Sequence, residues 1–240
     1  MHYKFTGVVL DHIPYSDSSS IIKLLSRDKG LQSVVAKGLK GKKGKSTRPL
    51  LRRMNVVEVE VYKGAKQSLG IIKDVRSLAT GKRVPDVKRT GILMFVNEVL
   101  CRTIKEGQTG PELFDLVINL LATLEQSEHS SDLHLIFLLK LTKAFGVEPE
   151  LPPDEVGFFD LIEGSPCGSA PLHGHFIEGR ECMLFFTCLG TDLAIDASLQ
   201  IDNKERRSLL DKILEYYSLQ LDEKLELRSH KVLHTVLGEN

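Results

Sequence analysis

In Val57-Glu58-Val59-Glu60-Val61-Tyr62 every valine falls on one face of an extended chain and both glutamates on the other. Side chains alternate along a strand with a period of two, so such a segment buries one face in a sheet while the other meets water. Apolar or alternating runs also occupy Phe5 to Leu10, Ile21 to Leu25, Leu31 to Ala36 and Leu69 to Val75, separated by Gly, Asp, Ser and Lys clusters. Five strands, with polar turns and no strong helical pattern between the early ones, predict a small closed barrel. An OB-fold is the economical form.

Beyond Gly81 the period changes. Ile92, Phe95, Val96, Val99 and Leu100 recur at helical spacing in Val87 to Ile104, with Pro85 and Asp86 supplying a start. Further helices are expected over Pro111 to Leu124 and over about Ser131 to Phe145, the latter ending at Gly146. In the third helix Leu133, Ile136, Phe137, Leu138, Leu139 and Leu141 cover more than one face, which predicts a central place in a bundle. Residues 148–190 break the pattern with Pro149, Pro152, Pro153, Pro166, Pro171 and scattered glycines, and read as an irregular excursion. Helical spacing returns with Leu209, Leu210, Ile213, Leu214 and Tyr217, behind Asp202 or Asn203 as N-cap, and a last short helix is expected near Val232 to Leu237. The expected fold class is α+β: an OB-fold barrel over residues 1–80 and an all-α domain over 81–240 that carries the excursion.

Charge is segregated in the same way. The chain holds 32 basic and 32 acidic residues, yet from Met1 to Thr80 there are 16 Lys or Arg against 6 Asp or Glu. The densest stretch runs from Lys37 to Arg53 and contains Lys37, Lys40, Lys42, Lys43, Lys45, Arg48, Arg52 and Arg53 with no acidic residue. Three glycines and Pro49 make it a poor helix and a poor central strand, so it reads as a mobile loop that presents cations to phosphates. Most Lys-rich runs are simply solvated; here Lys23, Arg27 and Lys29 precede it and Lys63 and Lys66 follow, on a fold that binds oligonucleotides through one face and its loops. Aromatic residues are few in this part (Tyr3, Phe5, Tyr15, Tyr62), so binding should rest on phosphates and depend steeply on salt. The alternative is a scaffold or membrane-surface adaptor whose basic loop meets anionic lipid, although only Leu39, Leu50 and Leu51 could anchor it.

Other chemistry finds little support. Gly44-Lys45-Ser46 looks like the tail of a phosphate-binding P-loop, but the motif needs glycine where Leu39 stands. Ser165 lies in Gly-Ser-Pro-Cys-Gly, not G-x-S-x-G, and Pro166 cannot donate a backbone N–H to an oxyanion. Cys167, His173, His175 and Cys182 could offer two sulfurs and two nitrogens to zinc, at loose spacing and without a C-x-x-C pair. Cys101 reads as a small core residue. No catalytic residue, cofactor or metal is assigned. The four cysteines suit a reducing compartment, and the absence of a long apolar run or a secretory pattern predicts a soluble, cytoplasmic protein.

The order of several short motifs resembles the RecO family of bacterial recombination mediators. They are Phe5-Thr6-Gly7-Val8-Val9-Leu10, Tyr15-Ser16-Asp17-Ser18-Ser19, Leu25-Ser26-Arg27-Asp28-Lys29-Gly30, Val35-Ala36-Lys37-Gly38, Glu58 to Lys63, Asn97-Glu98-Val99-Leu100, Glu112-Leu113-Phe114, Leu138-Leu139-Lys140-Leu141, Phe145-Gly146 and Phe158-Phe159-Asp160-Leu161. The resemblance implies a non-enzymatic DNA repair protein that binds single- and double-stranded DNA and anneals complementary strands. It implies contact with the acidic tail of single-stranded DNA-binding protein and, with RecR, the loading of RecA; whether RecF takes part stays open. DNA contact is carried onto the eight cations between Lys37 and Arg53. The tail is placed near Lys140 and Lys143 for their apolar and basic surroundings. Many family members hold zinc through two C-x-x-C pairs in a zinc-ribbon-like excursion; here only Cys167 stands where the first pair is expected. Loss of the metal is therefore expected, with Phe158, Phe159, Leu161, Phe176, Leu184, Phe185 and Phe186 holding the segment by packing.

Overall fold

A computed structural model describes residues 1–39, 41–78, 86–105, 110–127, 131–152, 157–193, 199–221 and 225–238, and at Lys42 and Lys43 the backbone alone. Five strands, β1 (His2–Pro14), β2 (Ser20–Ser26), β3 (Gly30–Ala36), β4 (Val56–Tyr62) and β5 (Gly70–Ser77), close a barrel in the order β1-β2-β3-β5-β4. All pairings are antiparallel except β3 with β5, which run parallel through Val34 opposite Gly70 and Val35 opposite Ile71. The long β1 pairs with β4 through its first half and β2 through its second, and a bulge between Val9 and Asp11 lets it bend. Val57, Val59 and Val61 point inward with Phe5, Val9, Ile22, Leu24, Val34 and Ala36, as the period-2 pattern requires. The OB-fold expectation holds.

The basic stretch is not a loop. Lys42–Leu50 form a helix, α1, between β3 and β4. Nine residues that include Gly44 and Pro49 would not hold a helix alone, because nucleation is costly and isolated short helices are marginal. Packing supplies the difference. Leu39 before α1 and Leu51 after it both enter the barrel core, with Leu50 packed against it, and each buried leucine contributes about 1.5–3 kcal/mol. Gly44 lies so close to the preceding turn that a Cβ there would sit 2.1 Å from the Leu39 carbonyl oxygen. Asn55 closes the other end, its Nδ2 donating to the Pro49 and Leu50 carbonyls at 3.0 Å each.

By contact density the chain divides into Met1–Val84 with Asn97–Asp115, and Pro85–Val96 with Leu116–Asn240. The division runs through α2 (Val87–Thr103) and α3 (Pro111–Gln126). Within the second unit α4 (Leu133–Ala144) is buried at Leu133 to Leu139, Leu141 and Thr142, the all-round burial of a central helix, and Gly146 follows it at φ +72°. The segment expected to be irregular is more ordered than its prolines suggest. It holds a three-stranded antiparallel sheet, β7 (Ser165–Cys167), β6 (Phe158–Asp160) and β8 (Phe176–Glu178), and runs into a helix, α5 (Gly179–Gly190). Phe159 packs at 4.7 Å from Phe185 and 5.9 Å from Tyr216, so aromatic burial holds the sheet to its helix. In α6 (Asn203–Gln220) Asp202 is the N-cap, accepting from the Lys204 and Glu205 N–H groups while Glu205 returns a bond to its backbone. The last helix is α7 (Ser229–Gly238).

Candidate nucleic-acid interface

β3 ends at Ala36, and the chain turns at Gly38 (φ +71°) so that the Leu39 N–H donates to the Ser18 carbonyl at 3.0 Å. This bond ties the β1–β2 loop to the start of the basic segment. Lys37 is exposed just before the turn, Lys45 and Arg48 lie one turn apart on α1, and Arg52 and Arg53 are exposed beyond its end. The fold thus gathers what was read as a spread of cations into a short helix and its two flanks. Arg48 also donates from Nη2 to the Leu39 carbonyl at 2.9 Å, and Arg53 pairs with Asp11 at 2.7 Å. Burial would raise the Asp11 pKa, but hydrogen bonds from Arg53 and the His12 N–H, with the charges of Arg53 and Lys23, hold it below the usual carboxylate range. Lys37, Lys45 and Arg52 have no ion pair with any described residue. Lys40 lies outside the described residues, and Lys42 and Lys43 are placed on α1 by backbone alone.

Some other cations of the first unit are matched by acids. Lys4 pairs with Glu60 at 3.4 Å, Arg76 with Asp74 at 3.2 Å, and Arg27 holds Asp115 through two bonds of 3.0 and 2.9 Å. A partnered cation has less charge to offer a phosphate, so within the Lys37 to Arg53 stretch Lys37, Lys45 and Arg52 have more to offer than Arg53. The aromatics have separated by role. Phe5 is core, Tyr3 lies half-buried with the Lys29 ammonium 4.1 Å from its ring centre, Tyr62 packs against His2 at 4.8 Å, and Tyr15 is 64% exposed.

The profile described as Recombination protein O N terminal matches residues 1–80, and that described as Recombination protein O C terminal matches residues 84–229. The chain belongs to the RecO family. Among similar curated proteins, DNA repair protein RecO of Azobacteroides pseudotrichonymphae is 26% identical over 98% of this chain and 99% of its own length. DNA repair protein RecO of Flavobacterium psychrophilum is 28% identical over 99% of this chain and 100% of its own, and that of Porphyromonas gingivalis is 27% identical over 96% and 97%. Membership places this RecO-family chain among proteins of DNA repair and recombination. None of its described helices is long and apolar enough to cross a membrane.

The residues considered for zinc do not make a tetrahedral set in this RecO-family chain. His173 Nε2 is 3.1 Å from Asp160 Oδ2, and His175 Nδ1 is 2.7 Å from Glu215 Oε1, so the two imidazoles turn to different carboxylates. Burial raises the Cys182 thiol to about 11, which works against the thiolate a metal requires. Among the described residues no group of three or more His, Cys, Asp or Glu has the arrangement of a metal site. Burial and two backbone N–H groups act oppositely on Asp160, and the N–H bonds with His173 leave its carboxyl below the usual range. Lys140, placed by sequence in a tail-binding groove, donates from Nζ to the Leu189 carbonyl at 2.6 Å and so closes the end of α5; Lys143 is exposed. Cys101, expected in the core, is at the surface of α2 with its thiol 3.5 Å from the Leu10 carbonyl, and burial of the sulfur raises its pKa to about 11. A raised thiol pKa lowers the thiolate fraction available as a nucleophile at neutral pH.

Proposed function

We propose that this RecO-family chain is a recombination mediator that binds single- and double-stranded DNA, anneals complementary strands and, with RecR, helps load RecA on DNA coated by single-stranded DNA-binding protein. The supporting observation is the set of exposed cations Lys37, Lys45, Arg48 and Arg52 on and flanking α1, in a stretch whose sequence holds no acid. Two phosphate backbones repel each other. A surface that replaces their counterions with fixed ammonium and guanidinium groups gains free energy from ion release and lowers that repulsion, so complementary bases can meet. This needs no bond made or broken by the protein, no cofactor and no metal. The contacts are assigned to Lys37, Lys40, Lys42, Lys43, Lys45, Arg48, Arg52 and Arg53, with Arg48 and Arg53 the smaller contributors because part of their donor capacity is already used. For the acidic tail of single-stranded DNA-binding protein, placed near Lys140 and Lys143, Lys143 in the last turn of α4 is the exposed one of the two.

The test is annealing of two complementary oligonucleotides without ATP or added metal, across a salt series, for wild type and a chain with Lys40, Lys42, Lys43 and Lys45 changed to Glu. Fast annealing that fades with salt and fails in the variant is expected. Equal annealing by both chains would move the DNA contacts away from α1. Failure of the wild type to bind DNA at all, with flotation on anionic liposomes, would replace the mediator reading with the lipid-surface one.

A further inference from the structure

Of Tyr3, Phe5, Tyr15 and Tyr62, only Tyr15 is mostly in solvent, at 64% exposure, and its place in the register sets what it can meet. Pro14 pairs with Ser20, and Ser20 with Ala36. Tyr15 and Lys37, the next residues along β1 and β3, therefore emerge at the same end of the barrel, two strand spacings or roughly 10 Å apart. The loop that carries Tyr15 is closed on itself, with the Tyr15 and Ser16 N–H groups both donating to the Ser19 carbonyl at 3.0 and 3.1 Å. It is also fastened to the basic segment by the Leu39 N–H on the Ser18 carbonyl. A tyrosine on a floppy loop would lose binding gain to ordering the backbone, whereas the backbone that carries this ring is held in advance. Its loop contains one acid, Asp17, which is exposed, so the ring rather than the loop's charge is what it offers.

We infer that Tyr15 stacks on an unpaired nucleobase while the α1 cations hold the adjoining phosphates, and that this contact favours single strands over duplex. The inference rests on the DNA-binding reading above. A base in a duplex has both faces covered by its neighbours, so an exposed ring can gain only from a strand whose bases are free. Stacking on an aromatic side chain is tolerant of base identity, which suits a protein that must pair any sequence.

The experiment compares oligo(dT) with a duplex of equal length for wild type, Tyr15→Ala, Tyr15→Phe and Tyr15→Trp. Single-strand affinity should fall about tenfold in Tyr15→Ala and persist in Tyr15→Phe, with duplex affinity and the salt slope unchanged. Because the chain contains no tryptophan, the Tyr15→Trp indole is the only one, and its emission should be quenched as oligo(dT) saturates the protein. Tyr15→Ala binding oligo(dT) as wild type does, or an indole whose emission does not move at saturation, overturns the stacking role alone. A wild type that binds neither nucleic acid overturns the DNA-binding reading itself. An equal loss for single strand and duplex would make Tyr15 a support of the loop, also against the inference.

Discussion

His134 shows how much one buried side chain can weigh in a pH response. It lies inside α4 with Phe95 edge-on at 6.0 Å, and neither ring nitrogen has a hydrogen-bond partner among the described residues. Burial, then the nearby Arg206 charge, lowers its pKa from 6.5 to about 3. The folded state therefore refuses a proton that the unfolded chain accepts. Above pH 6.5 the two states differ little; as pH falls from 6.5 toward 3 this residue removes about 1.4 kcal/mol of stability per unit. We predict that His134→Leu flattens the fall in urea midpoint between pH 6.5 and 4 relative to wild type, while at pH 7 it is neutral or stabilising because an unsatisfied polar group has gone. A gap between the two chains that stays constant with pH would count against this. By contrast the Arg206–Asp132 pair, at 2.6 Å and also buried, is completed by Asn203 and the Ile201 carbonyl, and removing either partner would strand a charge.

Among the elements, α1 is the one whose existence depends on its neighbours. Gly44→Ala should cost about 1–3 kcal/mol, because the added methyl meets a backbone oxygen rather than a side chain that can rotate away. Asn55→Ala should cost about 1–2 kcal/mol by leaving two helix-end carbonyls without their donor. Both are measured by urea unfolding, and unchanged midpoints would mean that α1 does not need these contacts. The sheet β7-β6-β8 makes a separate case. If aromatic packing rather than metal holds it, protein purified without chelator should contain far less than one zinc per chain, and added chelator should leave the melting temperature in place. One zinc per chain would overturn that. Both elements were partly hidden in the sequence. Lys37 to Arg53 has the composition of a loop, and only Leu39 and Leu51 hinted that its ends return to a core. α5 falls within residues 148–190, which read as irregular because the prolines and glycines before it masked the change of period.

For the whole molecule, charge is the property that scales with function. The first 80 residues carry a net +10 and the remainder −10, so the field is concentrated on the barrel end of the chain even though the total is zero. If about five phosphates are neutralised, log affinity for single strands should fall with log salt at a slope of about −3.5. Reversing Lys40, Lys42, Lys43 and Lys45 should make that slope shallower by about 2.8, whereas Lys4→Glu or Arg76→Glu, whose cations already face Glu60 and Asp74, should change it less. Equal changes for all of these would show that net charge, not the α1 surface, governs binding.

Periodicity alone was enough to determine the strands of the barrel and helices α2 to α4 and α6, because alternation and helical spacing are local signals that burial then reinforces; that Asp202 rather than Asn203 caps α6 was decided by the structure. Charge counting was enough to single out Lys37 to Arg53. What that stretch becomes was decided by contacts far along the chain: Leu39 and Leu51 entering the barrel, Gly44 against the Leu39 carbonyl, and Asn55 on the helix end. The pairing of Arg53 with Asp11 and the arrival of Tyr15 beside Lys37 depend on strand register, which brings residues 42 and 22 positions apart to one edge. A sequence names the cations; only the closed barrel determines which of them already have partners.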